Sequence, residues 1–187
     1  MSVSDSNQYP KVSGETIIAA QRGDKSALGI IYDGYARRLY RYLHSRVHNA
    51  MDAEDLLTQT FIQVLETLPS YRHRGQFTAW IFQIARNKVI DHFRRRRELV
   101  DMKDDLRDGS SVNNFLENVI RRQNAEHLDR LLKTLDEDEL ELVRLRFVAD
   151  LSYGEMAELL GRKEDAVRKS LQRTLNRLYA QMEAQYV

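Results

Sequence analysis

The chain of 187 residues has no cysteine, so it can form no disulfide, no thiolate nucleophile and no cysteine-ligated zinc site. It has only two prolines and eight glycines, and with long periodic segments between them it reads as nearly all helical. No apolar stretch approaches the roughly 20 residues of a membrane-spanning helix. The N-terminus, MSVSDSNQYPKVSG, lacks the basic start and apolar run of a secretory signal. No glycine-rich nucleotide loop is present either. These absences fit a protein of the reducing cytoplasm, with no membrane insertion. What remains, 42% hydrophobic residues, is enough for one ordinary core or two small ones.

A net charge of +1 hides a strong local asymmetry. From Tyr71 to Arg97 eight cations face Asp91 alone, whereas from Glu98 to Asp150 eight cations face fourteen acids. A basic segment beside an acidic one points to a polyanion partner for the basic part. Four successive arginines, Arg94 to Arg97, close an aromatic helix there. They also suit the helix dipole without any ligand.

Periodicity divides the chain into two helical domains on a tether. Residues 1–14 read as a disordered tail and 15–98 as a first domain. Residues 99–124 form an acidic linker carrying Gly109-Ser110-Ser111, and 125–187 a second domain. In the first, Glu15 to Arg22 suggests a short helix, and Ser26 to Val47 a long one with a stripe of Ala27, Ile30, Ile31, Tyr35, Leu39, Tyr42 and Leu43. Asp52 is a plausible cap for a third helix to Leu68, burying Ala53, Leu56, Leu57, Phe61, Val64 and Leu65. Tyr71 to Gln76 is a basic loop, and Phe77 to Arg97 a fourth helix. In the second domain a pattern from Phe115 runs through Leu128, Leu131, Leu132 and Leu135. Asp136 then caps a helix with Leu140, Val143, Leu145 and Phe147 behind it.

Leu151 to Leu178 reads as two short helices joined by a tight turn. Ser152 and Glu155 have the spacing of a capping box, and Gly161 stands where a left-handed residue would end the first helix. In the second helix Val167, Leu171, Leu175 and Leu178 share one side. Arg168, Lys169, Gln172, Arg173 and Asn176 project from the other. Arginine forks to guanine, glutamine pairs with adenine and lysine neutralises phosphate, so this face suits a major groove. An ordinary amphipathic hairpin with a solvated face would show the same pattern.

The fourth helix has two apolar faces, one of Phe77, Trp80, Ile81, Ile84 and Ala85, the other of Phe82, Val89 and Phe93. Between them runs a strip of Gln83, Asn87 and Arg94, with Ile90 among them and Trp80 at its edge. Amides, a cation and aromatic edges suit unpaired bases and backbone phosphates.

These residues resemble the small bacterial RNA polymerase sigma factors of the extracytoplasmic-function group, over nearly all of the chain after its tail. Gly23-Asp24-Lys25-Ser26-Ala27 with Tyr32 and Tyr35 is similar to the opening of their second region. Phe77, Trp80, Ile84, Ala85, Asn87, Asp91 and Arg94 match the pattern FxxWxxxIAxNxxxDxxR around the minus-10 element. Leu151-Ser152-Tyr153, Glu155, Ala157, Leu160-Gly161, Val167 and Arg173 resemble the fourth region, which reads the minus-35 element.

The resemblance implies an all-α chain of two small domains, regions 2 and 4, that is no enzyme and binds no cofactor or metal. Core RNA polymerase would be held at its beta-prime clamp by Glu54, Asp55, Gln59 and Phe61. The melted minus-10 strand would meet Tyr71, Arg72, Arg74, Trp80, Gln83, Asn87 and Arg94. The minus-35 duplex would meet Arg168, Lys169, Gln172, Arg173 and Asn176. An anti-sigma factor is a further partner the family allows, and the chain free of polymerase would be a monomer. The sequence departs from the common pattern at Thr58-Gln59 in the clamp-binding segment, where the polymerase contact would differ, and at Lys169, at Arg173-Thr174-Leu175 and at Asp165 in the recognition helix, so the upstream bases read would differ from the commonest.

Two other classes bear on the same residues. An autonomous helix-turn-helix regulator acting without polymerase explains the second domain but leaves the Trp80 helix without a role. An enzyme finds little support. His44 and His48 have the spacing of a metal pair on a helix but no completing carboxylate, and no acidic cluster has acid–base spacing.

Overall fold

A computed structural model describes residues 12–72, 75–100, 128 and 130–183. Among these residues every regular element is helical. The first module comprises α1 (Gly14–Gln21), α2 (Lys25–Val47), α3 (Ala50–Thr67), a 3-10 turn at Leu68–Ser70 and α4 (Phe77–Val100). The second comprises α5 (Glu137–Val143), a π-helical turn at Arg144–Val148, α6 (Tyr153–Leu160) and α7 (Glu164–Glu183). The tail up to residue 11, and the linker with its helical pattern from Phe115 to residue 127, lie outside the described residues, except that residues 99 and 100 extend α4.

Local chemistry sets each boundary. Ser13 caps α1 through the amide of Thr16, and Asp24 caps α2 by accepting from Ser26 and Ala27. The second helix therefore begins at Lys25, one residue before the spacing suggests. His48 ends it in the left-handed conformation, φ 54°, its amide donating to the His44 carbonyl. His44 and His48 thus do not share the helical register a metal pair would need. Asn49, and not Asp52, caps α3. Its Oδ1 accepts from the Asp52 amide at 3.0 Å, which places Asp52 in the first turn, beside the positive end of the dipole.

The first module buries Ile17, Ile31, Tyr35, Leu39, Tyr42, Leu43, Val64, Ile81, Phe82 and Val89 between its four helices. Four residues expected on apolar faces are about half exposed: Ile30, Leu65 and, in the second module, Leu128 and Phe147. For Phe147 the cause is the π turn, whose extra residue rotates it outward, while Leu145 is fully buried as expected. Leu131 and Leu135 are buried as the pattern indicates.

The two modules are packed together. α4 contacts α6, α2 contacts the π turn, and the buried side chains of both modules form a single continuous cluster.

Candidate nucleic-acid interface

One capping box and one turn position the recognition face. The Ser152 Oγ accepts from the Glu155 amide at 3.2 Å, and Glu155 Oε2 accepts from the Ser152 amide at 2.8 Å, completing the capping box. Gly161 has φ 62°, a conformation that costs other residues about 1–2 kcal/mol, and the chain reverses there into α7. Val167, Leu171 and Thr174 anchor α7 in the core. Arg168, Lys169, Gln172, Arg173 and Asn176 are all exposed on its other side.

Several of these side chains already have partners. Arg168 is bonded to Glu164 at 2.8 Å, with its guanidinium 5.1 Å from the centre of the Tyr153 ring. Gln172 donates to Asn176 Oδ1 at 2.9 Å, and among the described residues Arg173 reaches only Ser170 Oγ, at 3.4 Å.

The basic loop of the first module is tied down at its start and its end. Gln21 Nε2 donates to the carbonyls of Leu68 and Tyr71, and Gln76 Nε2 donates to Glu158 of α6 at 2.5 Å. Arg72 is exposed, and Arg74 lies outside the described residues. Tyr71, Phe77 and Trp80 pack as three rings, with Tyr71 and Trp80 4.6 Å apart. Trp80 is thus partly core and partly surface. Further along α4, Gln83 donates to Asn87 Oδ1 at 2.9 Å and exposed Arg94 pairs with Asp91 at 3.0 Å. Gln–Asn pairs four residues apart therefore occur on both faces.

On α3, Glu54, Asp55 and Gln59 are exposed, while Phe61 is partly buried with its ring 4.7 Å from that of Tyr32. Ile62 and Leu65 lie half exposed beside them. The side of α3 expected to meet polymerase is thus a mixture of acid and apolar surface. Among the described residues no three His, Asp or Glu side chains are placed to hold a metal ion.

Sequence reasoning missed a cluster of charges between the modules. Glu141 is buried, accepting from the Tyr42 hydroxyl at 2.8 Å and from Arg46 at 2.5 Å, with Arg86 3.5 Å away. Buried Arg38 donates to the carbonyls of Ala149 and Asp150, at 2.9 and 3.0 Å, and stacks over Tyr35 and Phe82. Burial, and then the Glu141 carboxylate, push the Tyr42 hydroxyl well above its ordinary range, so it stays a proton donor. Burial lowers the Arg46 guanidinium, but the Glu141, Tyr42 and Glu137 charges outweigh it and hold Arg46 above its ordinary value. The one sequence signal was Arg86, a cation standing beside the polar strip of α4.

The family model for Sigma-70 region 2 matches residues 31–98, and that for Sigma-70 region 4 matches residues 125–178. The chain is similar to the ECF RNA polymerase sigma factor BldN of Streptomyces coelicolor, 36% identical over 88% of this chain, of whose length it spans 64%. It is also similar to the ECF RNA polymerase sigma factor SigM of Bacillus subtilis, 31% identical over 80% of this chain and 91% of that one. Among solved structures, the fold resembles CnrH in complex with the cytosolic domain of CnrY, with a TM-score of 0.68 at 22% identity, covering 93% of this chain and 99% of that one.

Proposed function

This chain belongs to the extracytoplasmic-function group of RNA polymerase sigma factors, and we propose that it directs core polymerase to promoters by gripping duplex and unwound DNA together. Its role is transcription initiation, not catalysis. In this reading α7 lies in the minus-35 major groove with Arg173, Lys169 and the Gln172–Asn176 pair toward base edges. The Tyr71–Phe77–Trp80 rings and the strip of Gln83, Asn87 and Arg94 take the minus-10 strand, each stacked base returning about 1–3 kcal/mol. The acidic and apolar side of α3, from Glu54 to Phe61, docks on the beta-prime clamp. No nucleotide is hydrolysed, so binding energy alone drives melting.

The observation that carries the reading is the presence of two differently built faces in one chain. An open arginine–amide face on α7 suits a duplex, and an aromatic–amide face on α4 suits a single strand. A regulator acting alone needs only the first. An anti-sigma factor covering both modules is part of the proposal; the sigma factor RpoE of Bartonella quintana, whose fold is similar with a TM-score of 0.59 at 21% identity, is seen with the anti-sigma factor NepR.

The test is transcription in vitro with purified core polymerase on genomic fragments, with start sites mapped. Start sites sharing two upstream sequence elements are the expected result. A chain that binds promoter duplex yet never associates with core polymerase would be the autonomous regulator instead.

A further inference from the structure

The contact between the modules is built from charge where apolar side chains would hold it as well. α2 supplies Arg38 and Arg46 and α4 supplies Arg86, while the second module sets Glu137, Glu141 and Glu155 against them. Exchanging such buried pairs for apolar groups of like volume is often neutral or stabilising. Docking alone therefore does not call for three arginines on one surface.

Their arrangement fits a different ligand. Arg46 lines a groove of about 360 Å3 together with Ile90, Phe93, Arg94, Arg97 and Glu98, three cations against one acid. Arg86 precedes Asn87 on α4 and shares a helical side with Ile90 and Arg97. A cationic track thus runs from Arg38 past Arg46 and Arg86 to the edge of the Gln83–Asn87–Arg94 strip.

We propose that this arginine track is a binding site for the phosphodiester backbone of DNA, occupied in the closed chain by the second module's own carboxylates. The inference rests on the promoter-binding reading and adds a competition to it. Elements named for positions 10 and 35 are on the order of 25 base pairs apart, ~85 Å of duplex at ~3.4 Å per pair. In the closed chain the Gln76 side chain, in the loop that serves the first element, touches Glu158, in the helix beside the reader of the second. A chain spanning both elements has to part at this contact. Parting takes Arg46 and Arg86 from Glu137 and Glu141, and Arg38 from the Ala149 and Asp150 carbonyls and from Glu155 at 3.9 Å, beside the bound strand, and backbone phosphates take those places. DNA and closure then exclude one another, and DNA binding shifts the chain toward its open form.

The absence of cysteine makes the test direct. Met51→Cys and Tyr179→Cys, at well-exposed positions in different modules, take a donor and acceptor dye. The full chain is titrated with a single-stranded DNA of about 20 nucleotides, enough to span a strand-binding groove. Energy transfer is expected to fall as the DNA binds, and E137Q/E141Q to raise DNA affinity at least about threefold, less than 1 kcal/mol. In that opened background R46Q/R86Q is expected to cut the slope of log affinity against log salt by about 1.4, ~0.7 per lost phosphate contact, and R46K/R86K to restore it. Circular dichroism checks that each variant keeps its helix content.

An unchanged slope in R46Q/R86Q would mean that the arginines serve docking only. Undiminished energy transfer with DNA bound would end the competition. Either result sinks this inference while leaving the sigma-factor reading intact, because transcription with core polymerase by the unsubstituted chain tests that reading separately.

Discussion

The hydroxyl of Tyr42 donates to Glu141 Oε1 at 2.8 Å, joining residues 99 positions apart in a fully buried contact. Tyr42 belongs to the core of the first module, stacked edge-on against Phe82 at 5.7 Å, whereas Glu141 belongs to the second. This bond therefore couples the fold of one module to the position of the other. Tyr42→Phe keeps the ring and removes the donor, leaving a buried carboxylate one bond short at a cost of about 1–3 kcal/mol. In a chain of this size the melting midpoint should fall by roughly 2–10 °C. Thermal unfolding followed by circular dichroism checks it, and an unmoved midpoint would show that Arg46 and Arg86 satisfy Glu141 unaided.

The same phenol makes stability fall in alkali. Its folded-state pKa is raised above the ordinary 10.0, by burial first and by the Glu141 carboxylate second. Below pH 10 the proton is present folded and unfolded, so the group contributes no slope. Above it the unfolded chain ionises while the folded one resists, and stability drops by up to ~1.4 kcal/mol per pH unit. Tyr35, raised chiefly by burial, acts in the same direction. Midpoints measured between about pH 8 and pH 11 should decline more steeply in the unsubstituted chain than in Tyr42→Phe; equal slopes would remove Tyr42 from the account.

Local signals were legible because they act over a few residues. The Ser152–Glu155 box, the left-handed Gly161 and the buried side of Val167 and Leu171 all follow from spacing alone. Boundaries slipped where two capping residues competed. Asn49 won over Asp52 because it stands one turn earlier and leaves Asp52 free to face the dipole. Phe147 was misplaced because a π turn leaves no mark in a 3.6-residue period. The Glu141 cluster was illegible for another reason. Nothing in one sequence says which of twenty-eight acids meets an arginine 95 residues away.

Arg168 and Arg173 are expected to contribute unequally to duplex recognition. Arg168 is held by Glu164 and lies over the Tyr153 ring, so it must give up both contacts before it can fork to a base. Arg173 is exposed and, among the described residues, holds only a long bond to Ser170. Arg173→Ala should weaken binding to a cognate upstream duplex by about 1–3 kcal/mol and relax specificity at one position, with Arg168→Ala costing less. Binding isotherms against the cognate and a scrambled duplex decide it. Equal losses on both would make these arginines phosphate contacts.

Charge and packing on α3 should separate in their effects on polymerase binding. Glu54 and Asp55 are exposed and stand outside the core, so their reversal to lysine acts on the surface alone. Phe61 is partly buried against the Tyr32 ring, so its truncation removes packing as well as contact area. E54K/D55K is therefore expected to lower affinity for core polymerase at least tenfold, about 1.4 kcal/mol, with the melting midpoint and affinity for single-stranded DNA unchanged. Phe61→Ala should weaken polymerase binding and also lower the midpoint by a few degrees, since loss of a packed aromatic costs up to about 3–5 kcal/mol when fully buried and less here. Pull-down titrations with purified core polymerase, run beside thermal melts of the same preparations, distinguish the two. If E54K/D55K binds polymerase as tightly as the unsubstituted chain, the clamp docks elsewhere, and the half-exposed apolar residues Ile62 and Leu65 become the side of α3 to test next.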